Sequence, residues 1–386
     1  MKILMLSWEF PPYKVGGIAS HVSDLSNALA KMGHSVHILT YGEKYATEPT
    51  ANDTIIVHRI PGTWAPNTLA WSNFLCHKME KEAIRLHKEV HFDVLHAHDW
   101  MMVPAGVGLK KTLRLPFIFT LHSTEQGRSG KPSNPYTRLI NDLEWYGTYE
   151  ADEIITVGKD FCDEVKGLFN PPENKIHYVP NGVDLKRFED VKFFLDRSNF
   201  ASDWEKIILF VGRLSHQKGL EYLVWAAPKI LKANPGAKFV VSGAGDTNRY
   251  SSLAHQLGVG HKFYFTGYTP DHLMPSLYSL ADAFAVPSVY EPFGIVALEA
   301  SAARKPVVGS YVGGLKDTIV HEYTGLHTFP GHVDSIASQV DRVLSDSSWA
   351  EWMGRNGHSW VETNFTWERI SRWTTGIYGK ALGLWE

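Results

Sequence analysis

The sequence of 386 residues has little of what marks several large classes of protein. Its two cysteines, Cys76 and Cys162, are too few for a disulfide framework or a four-ligand zinc site. No stretch approaches the ~18 consecutive apolar residues of a membrane-spanning helix. The formal net charge of −3 supplies no electrostatic reason to expect a nucleic-acid partner. These absences predict a cytoplasmic protein with no integral membrane segment and no nucleic acid among its partners.

Motifs of metal and dinucleotide enzymes are missing as well. The 19 histidines include no HExxH-like pair, so each is predicted to be a surface or core residue, and no metal ligand or cofactor is expected. Gly243 and Gly245 follow a predicted strand, but the sixth position of the dinucleotide fingerprint is Asn248, which argues against a dehydrogenase. There is neither a GxxxxGK[ST] loop nor an Asp-x-Asp pair. A bound diphosphate would therefore need basic side chains and backbone amides.

Short apolar segments alternate with helical patterns along the chain, which predicts parallel sheets covered by helices on both faces. A first helix is expected after Gly16 and Gly17. Its predicted apolar face consists of Ile18, Val22, Leu25, Leu29 and Met32. The predicted strands are KILML, SVHILT, TIIVHR, DVLHAH, FIFTLH and EIITV in a first series, and IILFVG, AKFVVSG, KFYFTG, AFAVPS and PVVGS in a second.

The two series predict an α/β protein with two Rossmann-like, doubly wound domains. Residues 1–185 would form the N-terminal domain and residues 206–366 the C-terminal domain, with the polar and aromatic stretch 184–205 as a linker. Residues 367–386 are predicted to form a helix that could cross back to the N-terminal domain. Such folds bind ligands at the carboxyl ends of their strands, so an inter-domain cleft is the expected site.

Three loops could bind a diphosphate. Arg213 and Lys218, on the loop after IILFVG, offer a planar fork and a point charge. A solvated loop with two ordinary cations is an equal alternative. Gly313–Gly314 and Lys14–Gly17 each precede a predicted helix whose amides could approach a phosphate. A glycine pair alone mostly marks a turn, so these two loops count only in combination.

Two carboxylates and three histidines are further candidates. Glu291 and Glu299 lie eight residues apart, roughly two helical turns, and are predicted to serve different parts of one extended ligand. His96, His98 and His122 stand at the ends of two adjacent predicted strands, where polar side chains face the ligand crevice. A lone histidine is usually structural, and for this group the structural and functional interpretations are evenly balanced.

Taken in order, these residues are similar to one large family. The segments EFPPYKVGGIASHV, HAHDW, TLHS, VPNGVD, VGRLSHQKG, EPFGIVALEA and VGGL follow one another along nearly the whole chain. In this the chain resembles the retaining GT-B glycosyltransferases of the glycogen and starch synthase type, which also include trehalose, sucrose and maltose-phosphate synthases. The resemblance implies transfer of a sugar from an ADP- or UDP-sugar to a carbohydrate acceptor, with no metal required.

The resemblance also implies roles for residues at matching positions. Arg213 and Lys218 would stabilise the leaving diphosphate. Glu291 would lie beside the donor sugar, and His122 would face its reacting carbon. These four are the predicted catalytic residues. The predicted substrate-binding residues supply amides for the phosphates (Gly16, Gly17, Gly313, Gly314, Leu315), a carboxylate for the ribose (Glu299), a position near the base (Tyr268), and contacts to sugar or motif neighbours (Glu9, Lys14, Asp99, Asn181, Phe293, Gly294).

One segment departs from the family pattern. After His122 the chain reads Ser-Thr-Glu-Gln-Gly-Arg, whereas glycogen synthases commonly place asparagine next to this histidine. Arg128, Lys131 and Arg138 make the loop basic. This indicates either a solvated loop or a substrate-binding site in which Arg128 holds the phosphate of an acceptor.

No second carboxylate is spaced to act as a nucleophile, and the resemblance implies front-face transfer, in which the acceptor hydroxyl attacks on the leaving group's side. The departing phosphate would then accept the acceptor's proton, and charge stabilisation would supply most of the catalysis. The first hypothesis for the substrates is glucose transfer to an α-glucan. Within this class the alternative acceptors are a small sugar phosphate, a lipid-linked sugar and a small polyol. Outside it, a nucleotide-sugar epimerase or a non-catalytic sugar-binding module remains open.

Overall fold

The computed structural model describes residues 1–49, 54–189, 191 and 194–384, and the chain divides into two compact units. Unit 1 comprises Met1–Gly182 and Trp367–Glu386, and unit 2 comprises Val183–Thr366. Each unit has its own sheet and its own hydrophobic core.

Unit 1 is built on eight strands: β1 Lys2–Leu6, β2 Ser35–Gly42, β3 Ala46–Pro49, β4 Ile55–Pro61, β5 Val94–His98, β6 Phe117–Leu121, β7 Glu153–Thr156 and β8 Ile176–Tyr178. Their order in the sheet is β3-β4-β2-β1-β5-β6-β7-β8. All neighbouring strands are parallel except β3 and β4, which are antiparallel. Every residue of β5 and β6 is buried, as expected for central strands covered on both faces.

The helices of unit 1 are α1 Gly17–Lys31, α2 Thr68–Val90, α3 Val103–Leu113, α4 Glu125–Ser129, α5 Pro135–Glu150, α6 Lys159–Phe169 and the C-terminal helix, here called α15, Trp367–Ala381. Helix α15 packs on α1, and its Ile370 and Ile377 belong to the same core cluster as Val22 and Leu25 of α1. The C-terminal segment therefore completes the core of unit 1.

Unit 2 has six strands: β9 Lys206–Val211, β10 Ala237–Ser242, β11 Phe263–Gly267, β12 Ala283–Val286, β13 Val307–Ser310 and β14 Gly325–Thr328. They form a parallel sheet of order β11-β10-β9-β12-β13-β14. Its helices are α7 Lys186–Glu189, α8 Leu220–Ala233, α9 Thr247–Gln256, α10 Met274–Ser279, α11 Ile295–Ala302, α12 Leu315–Thr318, α13 Val333–Ser345 and α14 Ser347–Asn364. This strand order is the doubly wound order of the Rossmann fold.

All eleven predicted strands correspond to observed ones, because runs of buried apolar residues are the strongest local signal. The short strands β3, β8 and β14 were not predicted, since none of them has a comparable apolar run. The predicted apolar face of α1 is wrong at Met32, which caps the helix and is 39% exposed.

The stretch 184–205, predicted to be a linker, is attached to unit 2 in its described part. The Arg197 guanidinium donates to the carboxylate of Asp282 at 2.7 Å and to the carbonyl of Glu205 at 2.7 Å. The amide of Leu195 donates to the hydroxyl of Ser276 at 3.1 Å. These contacts explain why the segment clusters with unit 2 despite its weak periodicity.

Among the described residues, no helix combines the length and the apolar character needed to cross a bilayer.

Candidate active site

In unit 2 the strand order reverses between β9 and β12, and the loops after these two strands carry three of the four predicted catalytic residues. Loop 212–219 follows β9 and holds Arg213 and Lys218, while loop 287–294 follows β12 and holds Glu291. The two loops are joined by the backbone, because the amide of Val289 donates to the carbonyl of Gln217 at 2.8 Å. This is the switch point at which open α/β sheets bind ligands.

Lys218 and Glu291 form an ion pair at this point. The Nζ of Lys218 lies 2.6 Å from Oε2 of Glu291, and the side chains are 23% and 7% exposed. The hydroxyl of Ser288 donates to the same carboxylate oxygen at 3.1 Å. The structure therefore brings together two of the predicted catalytic residues, although they lie 73 positions apart in the chain.

Arg213 and Tyr268 of unit 2 differ from Lys218 and Glu291 in their exposure to solvent. Both side chains are exposed, Tyr268 at 66%. Within the described part of the chain, Arg213 makes no ion pair, so its guanidinium remains available to an incoming anion. Their proposed contacts to diphosphate and base stay predictions.

Glu299 lies on α11, but Glu291 precedes that helix, which begins at Ile295. The sequence-based spacing of two helical turns between the carboxylates is therefore wrong, because the intervening residues 292–294 are a loop. The Tyr278 hydroxyl donates to Oε2 of Glu299 at 2.7 Å and orients the half-buried carboxylate. Burial beside this carboxylate raises the pKa of Tyr278 well above its usual value.

The glycine pair Gly313–Gly314 packs directly against loop 287–294. The amide of Gly314 donates to the Glu291 carbonyl at 2.9 Å, and the amide of Leu315 donates to the Val312 carbonyl at 3.1 Å. Two of the amides predicted to meet a phosphate are thus already bonded within the chain. The structure shows that the pair allows its backbone to approach the backbone of loop 287–294 closely, since a Cβ on Gly314 would lie 2.3 Å from Cα of buried Phe293.

Gly294 and Leu315 complete this contact. Gly294 has φ 95° at the start of α11, and a Cβ there would lie 2.7 Å from a methyl carbon of fully buried Leu315. These residues shape the loop that carries Glu291, and their contacts to substrate stay predictions.

We expect Gly314→Ala to lower kcat by about 100-fold, because the added methyl group must displace the backbone that positions Glu291, and a shift of about 1 Å can cost that much. Steady-state kinetics and thermal unfolding would be measured together. Gly167→Ala in α6 is the control, since its added Cβ meets nothing within 4 Å. Wild-type kinetics for Gly314→Ala would contradict the close-approach argument.

In unit 1 the start of α1 is occupied by a carboxylate. Oε2 of Glu9 accepts hydrogen bonds from the amides of Val15 at 2.5 Å and Gly16 at 2.7 Å. Gly16, predicted to offer its amide to a phosphate, is therefore bonded to Glu9, while Gly17 begins the helix. The Lys14 ammonium donates to the hydroxyl of Ser20 at 3.3 Å.

Histidines from three elements meet at the carboxyl ends of β5 and β6. His98 ends β5, His122 follows β6, and His21 comes from α1. The ring centroid of His21 lies 5.3 Å from the ring centroid of His98 and 4.7 Å from that of His122. Burial lowers the pKa of His21 to about 4 and those of His98 and His122 well below the usual value, so all three are neutral at pH 7.

This cluster joins His21 to His98 and His122, two of the three histidines for which the sequence left the structural and functional interpretations evenly balanced. Among the described residues, His21, His98 and His122 form a group whose geometry could hold a metal ion. The ring of His96 is adjacent to that of His98, with centroids 4.1 Å apart, but both of its nitrogens are engaged: Nδ1 bonds the Tyr378 hydroxyl and Nε2 bonds Thr120 Oγ1, each at 2.7 Å. Sequence reasoning missed His21, whose position on the buried face of α1 beside Val22 and Leu25 was the available signal.

Asp99 and Asn181 border the cluster. Asp99 has φ 66° and ψ 167°, a conformation that is rare for residues other than glycine and that concentrates at functional sites. Burial raises its pKa to about 6, while the nearby Arg128 charge and hydrogen bonds from the amides of His122 and Trp100 oppose the rise. Asn181 is buried, and its Oδ1 lies 2.5 Å from Nδ1 of His21.

Arg128 lies on a helix, so the expectation of a solvated loop after His122 is wrong. The segment forms α4, capped by Thr124, whose side chain accepts from the amide of Gly127 at 2.9 Å. The Arg128 guanidinium pairs with Glu125 at 3.1 Å and with Glu144 at 3.0 Å, and Glu144 is fully buried. Arg128 is therefore a largely internal cation with carboxylate partners, and its binding of an acceptor phosphate stays a prediction.

Comparisons with known proteins cover both units. Residues 15–187 match the family described as Glycosyltransferase Family 4, and residues 191–360 match Glycosyl transferases group 1. An uncharacterised glycosyltransferase of Methanocaldococcus jannaschii is 42% identical over 99% of both chains. The chain belongs to glycosyltransferase family 4. A glycogen synthase of Mycobacterium tuberculosis is 32% identical over 98% of this chain and 94% of that protein.

A solved structure supports the same assignment. The sucrose-phosphate synthase of Thermosynechococcus elongatus superposes with a TM-score of 0.86 at 26% identity, covering 99% of each chain. The expected GT-B fold with two Rossmann-like sheets is confirmed. A family 4 enzyme transfers a sugar from a nucleotide sugar with retention of configuration, so glycosyl transfer is the reaction class of this chain. The epimerase and the non-catalytic module find no support in these comparisons.

Proposed function

We propose that this family 4 enzyme transfers glucose from a nucleoside diphosphate glucose to an α-glucan. The observation that carries the proposal is the joining of Lys218 and Glu291 at the switch point of unit 2, beside an exposed Arg213. A diphosphate carries the negative charge that Arg213 and Lys218 match, and the carboxylate of Glu291 suits the hydroxyls of a sugar. The glycogen synthase of Mycobacterium tuberculosis supports the glucan acceptor.

The electrostatics of unit 1 support a neutral acceptor. The histidines around His122 are uncharged at pH 7, and Asp99 and Asn181 offer oxygen and amide groups that hydrogen-bond hydroxyls. The cation predicted to hold an acceptor phosphate, Arg128, is paired with Glu125 and Glu144. A phosphate there would have to compete with two carboxylates, whereas a glucan would not.

In the proposed reaction the acceptor hydroxyl attacks the donor carbon on the side from which the diphosphate leaves. The bond from that carbon to the phosphate oxygen breaks as the new glycosidic bond forms, and the leaving phosphate takes the hydroxyl proton. Arg213 and Lys218 stabilise the charge that develops on the diphosphate. Glu291 orients the donor sugar, and His122 contacts it near the reacting carbon.

A sugar phosphate is the second candidate acceptor. It is favoured by the similarity to sucrose-phosphate synthase, whose product carries a phosphate. Lys131 and Arg138, exposed near Arg128, are the cations that such an acceptor would use if Arg128 keeps its carboxylate partners.

The test is release of nucleoside diphosphate from ADP-glucose and UDP-glucose, measured with glycogen, maltoheptaose, glucose 1-phosphate, glucose 6-phosphate or no acceptor. We expect release that depends on glucan and is low with water alone. Proton NMR of the product should show an α-linkage. Release that depends only on a sugar phosphate would replace the glucan proposal with the second candidate, and release with none of these acceptors would contradict both.

A further inference from the structure

Three imidazoles of unit 1 converge on one point. One nitrogen from each of His21, His98 and His122 lies within 4.8 Å of the other two. Nδ1 of His98 and Nε2 of His122 are 3.3 Å apart. This is close to the distance of about 3.4 Å that separates two nitrogen ligands of a tetrahedrally coordinated ion when each metal–nitrogen bond is about 2.05 Å long. The described part of the chain contains no other group of three such side chains in reach of one ion.

One ring nitrogen of His21 is unsatisfied. Nε2 of His21 is buried and has no hydrogen-bond partner among the described residues. A buried polar nitrogen without a partner is unfavourable, so such sites call for a ligand that supplies one. An ion or a water molecule would meet this need, and the test below therefore measures binding of the ion itself.

The orientation of His21 is set by its other nitrogen. Nδ1 lies 2.5 Å from Oδ1 of Asn181, and an amide oxygen only accepts hydrogen bonds. The proton of His21 is accordingly on Nδ1, and the lone pair of Nε2 is free. Histidines that bind metals are usually held in this way by a carbonyl or carboxylate behind the ring. Asn181 thus occupies the supporting position of a metal ligand.

We propose that His21, His98 and His122 bind a divalent transition-metal ion of the Zn²⁺ class. Imidazole nitrogens suit zinc, copper, nickel and iron, whereas Mg²⁺ prefers oxygen ligands. Three histidines leave a fourth position for water. His122 is half-buried and the other two are buried, so the ion enters from the side of His122.

A metal ion bound to the three histidines prevents His122 from contacting a substrate. Under the proposed function, the imidazole of His122 is the group that contacts the donor sugar. On that basis, Zn²⁺ is a reversible inhibitor of transfer and not a cofactor. Binding of the ion rests only on the geometry of unit 1, whereas the inhibition rests on the proposed function as well.

The experiment uses the full chain, free of any polyhistidine tag and dialysed against a chelator. Calorimetric titration with ZnCl₂ should show saturable binding of one ion per chain, and Co²⁺ should produce the visible absorption of a tetrahedral nitrogen site. His21→Gln and His98→Gln should each weaken Zn²⁺ binding by at least about 100-fold, since even loss of a supporting residue costs 10–100-fold. Mg²⁺ should not compete.

His58→Gln is the matched control. His37 and His58 form another buried pair in unit 1, with Nδ1 of His37 and Nε2 of His58 3.0 Å apart, but no third imidazole of the described residues joins them. This variant should bind Zn²⁺ as the wild type does, and thermal unfolding of every variant reports whether it is folded. Absence of saturable binding, or unchanged affinity in both His21→Gln and His98→Gln, would overturn the proposal. Binding without inhibition would support the site and contradict the role of His122.

Discussion

Replacing Lys218 with alanine is expected to lower kcat/KM for transfer by about 10²–10³-fold, the usual cost of removing one group that stabilises transition-state charge. The variant loses the cation that can shift from Glu291 to the leaving diphosphate, and it leaves a nearly buried carboxylate unpaired. Arg213→Ala is expected to have an effect of the same order through the diphosphate alone, because Arg213 is exposed and has no ion-pair partner among the described residues. Release of nucleoside diphosphate at varied donor concentration measures both.

A double variant distinguishes the two ways in which Lys218 could act. If Lys218 serves only to neutralise Glu291, then Lys218→Ala/Glu291→Gln should be no more impaired than Glu291→Gln alone. If Lys218 stabilises the diphosphate, the double variant should be clearly more impaired than Glu291→Gln alone. We expect the second result. Lys229→Ala is the control, since its ion pair with Asp334 is exposed and such pairs contribute little. Full turnover by Arg213→Ala/Lys218→Ala would refute the leaving-group assignment.

Arg128→Ala is expected to reduce the free energy of unfolding by about 3 kcal/mol, the lower end of the cost of breaking a buried ion pair. Arg128 is 19% exposed, and its partner Glu144 is fully buried. Without the guanidinium, Glu144 must remain charged in an apolar environment or take up a proton. Burial raises the pKa of Glu144 and the charge of Arg128 opposes that rise, so loss of the guanidinium raises it further. Denaturant unfolding at pH 7 measures the change.

The control and the rescue for this prediction lie in the same segment. Arg138→Ala removes an exposed cation and should leave stability unchanged. Arg128→Ala/Glu144→Gln should recover part of the loss, because no uncompensated carboxylate remains. If Arg128→Ala instead kept full stability and raised only the KM for a sugar phosphate, Arg128 would be an acceptor-binding residue, and the sugar-phosphate candidate would gain direct support.

These two predictions concern basic residues that have similar sequence contexts but different roles in the folded protein. Arg213 and Arg128 look alike in sequence, since each stands on a segment that follows a buried strand. Arg213 is exposed, whereas Arg128 is enclosed by Glu125 and Glu144. Only the partner distinguishes a cation available to a ligand from one used internally, and Glu144 is 16 positions away.

The residue missed by sequence reasoning, His21, has the same explanation. His21 and the predicted Asn181 lie 160 positions apart, and their contact depends on α1 packing beside the end of β8. His21 follows no pattern that marks a ligand. Similarly, the occupation of the Gly16 and Gly314 amides by Glu9 and by the Glu291 carbonyl could not be seen in the glycine pairs themselves.

The sequence alone established the two α/β series, the positions of the long buried strands and the family. It could do so because apolar runs and ordered motifs are local features of the chain. The tertiary structure decided which predicted residues meet. It paired Lys218 with Glu291, enclosed Arg128 between carboxylates, and added His21 to His98 and His122. These outcomes depend on partners distant in sequence, and the burial that sets their charge states arises only once the sheets and helices have packed.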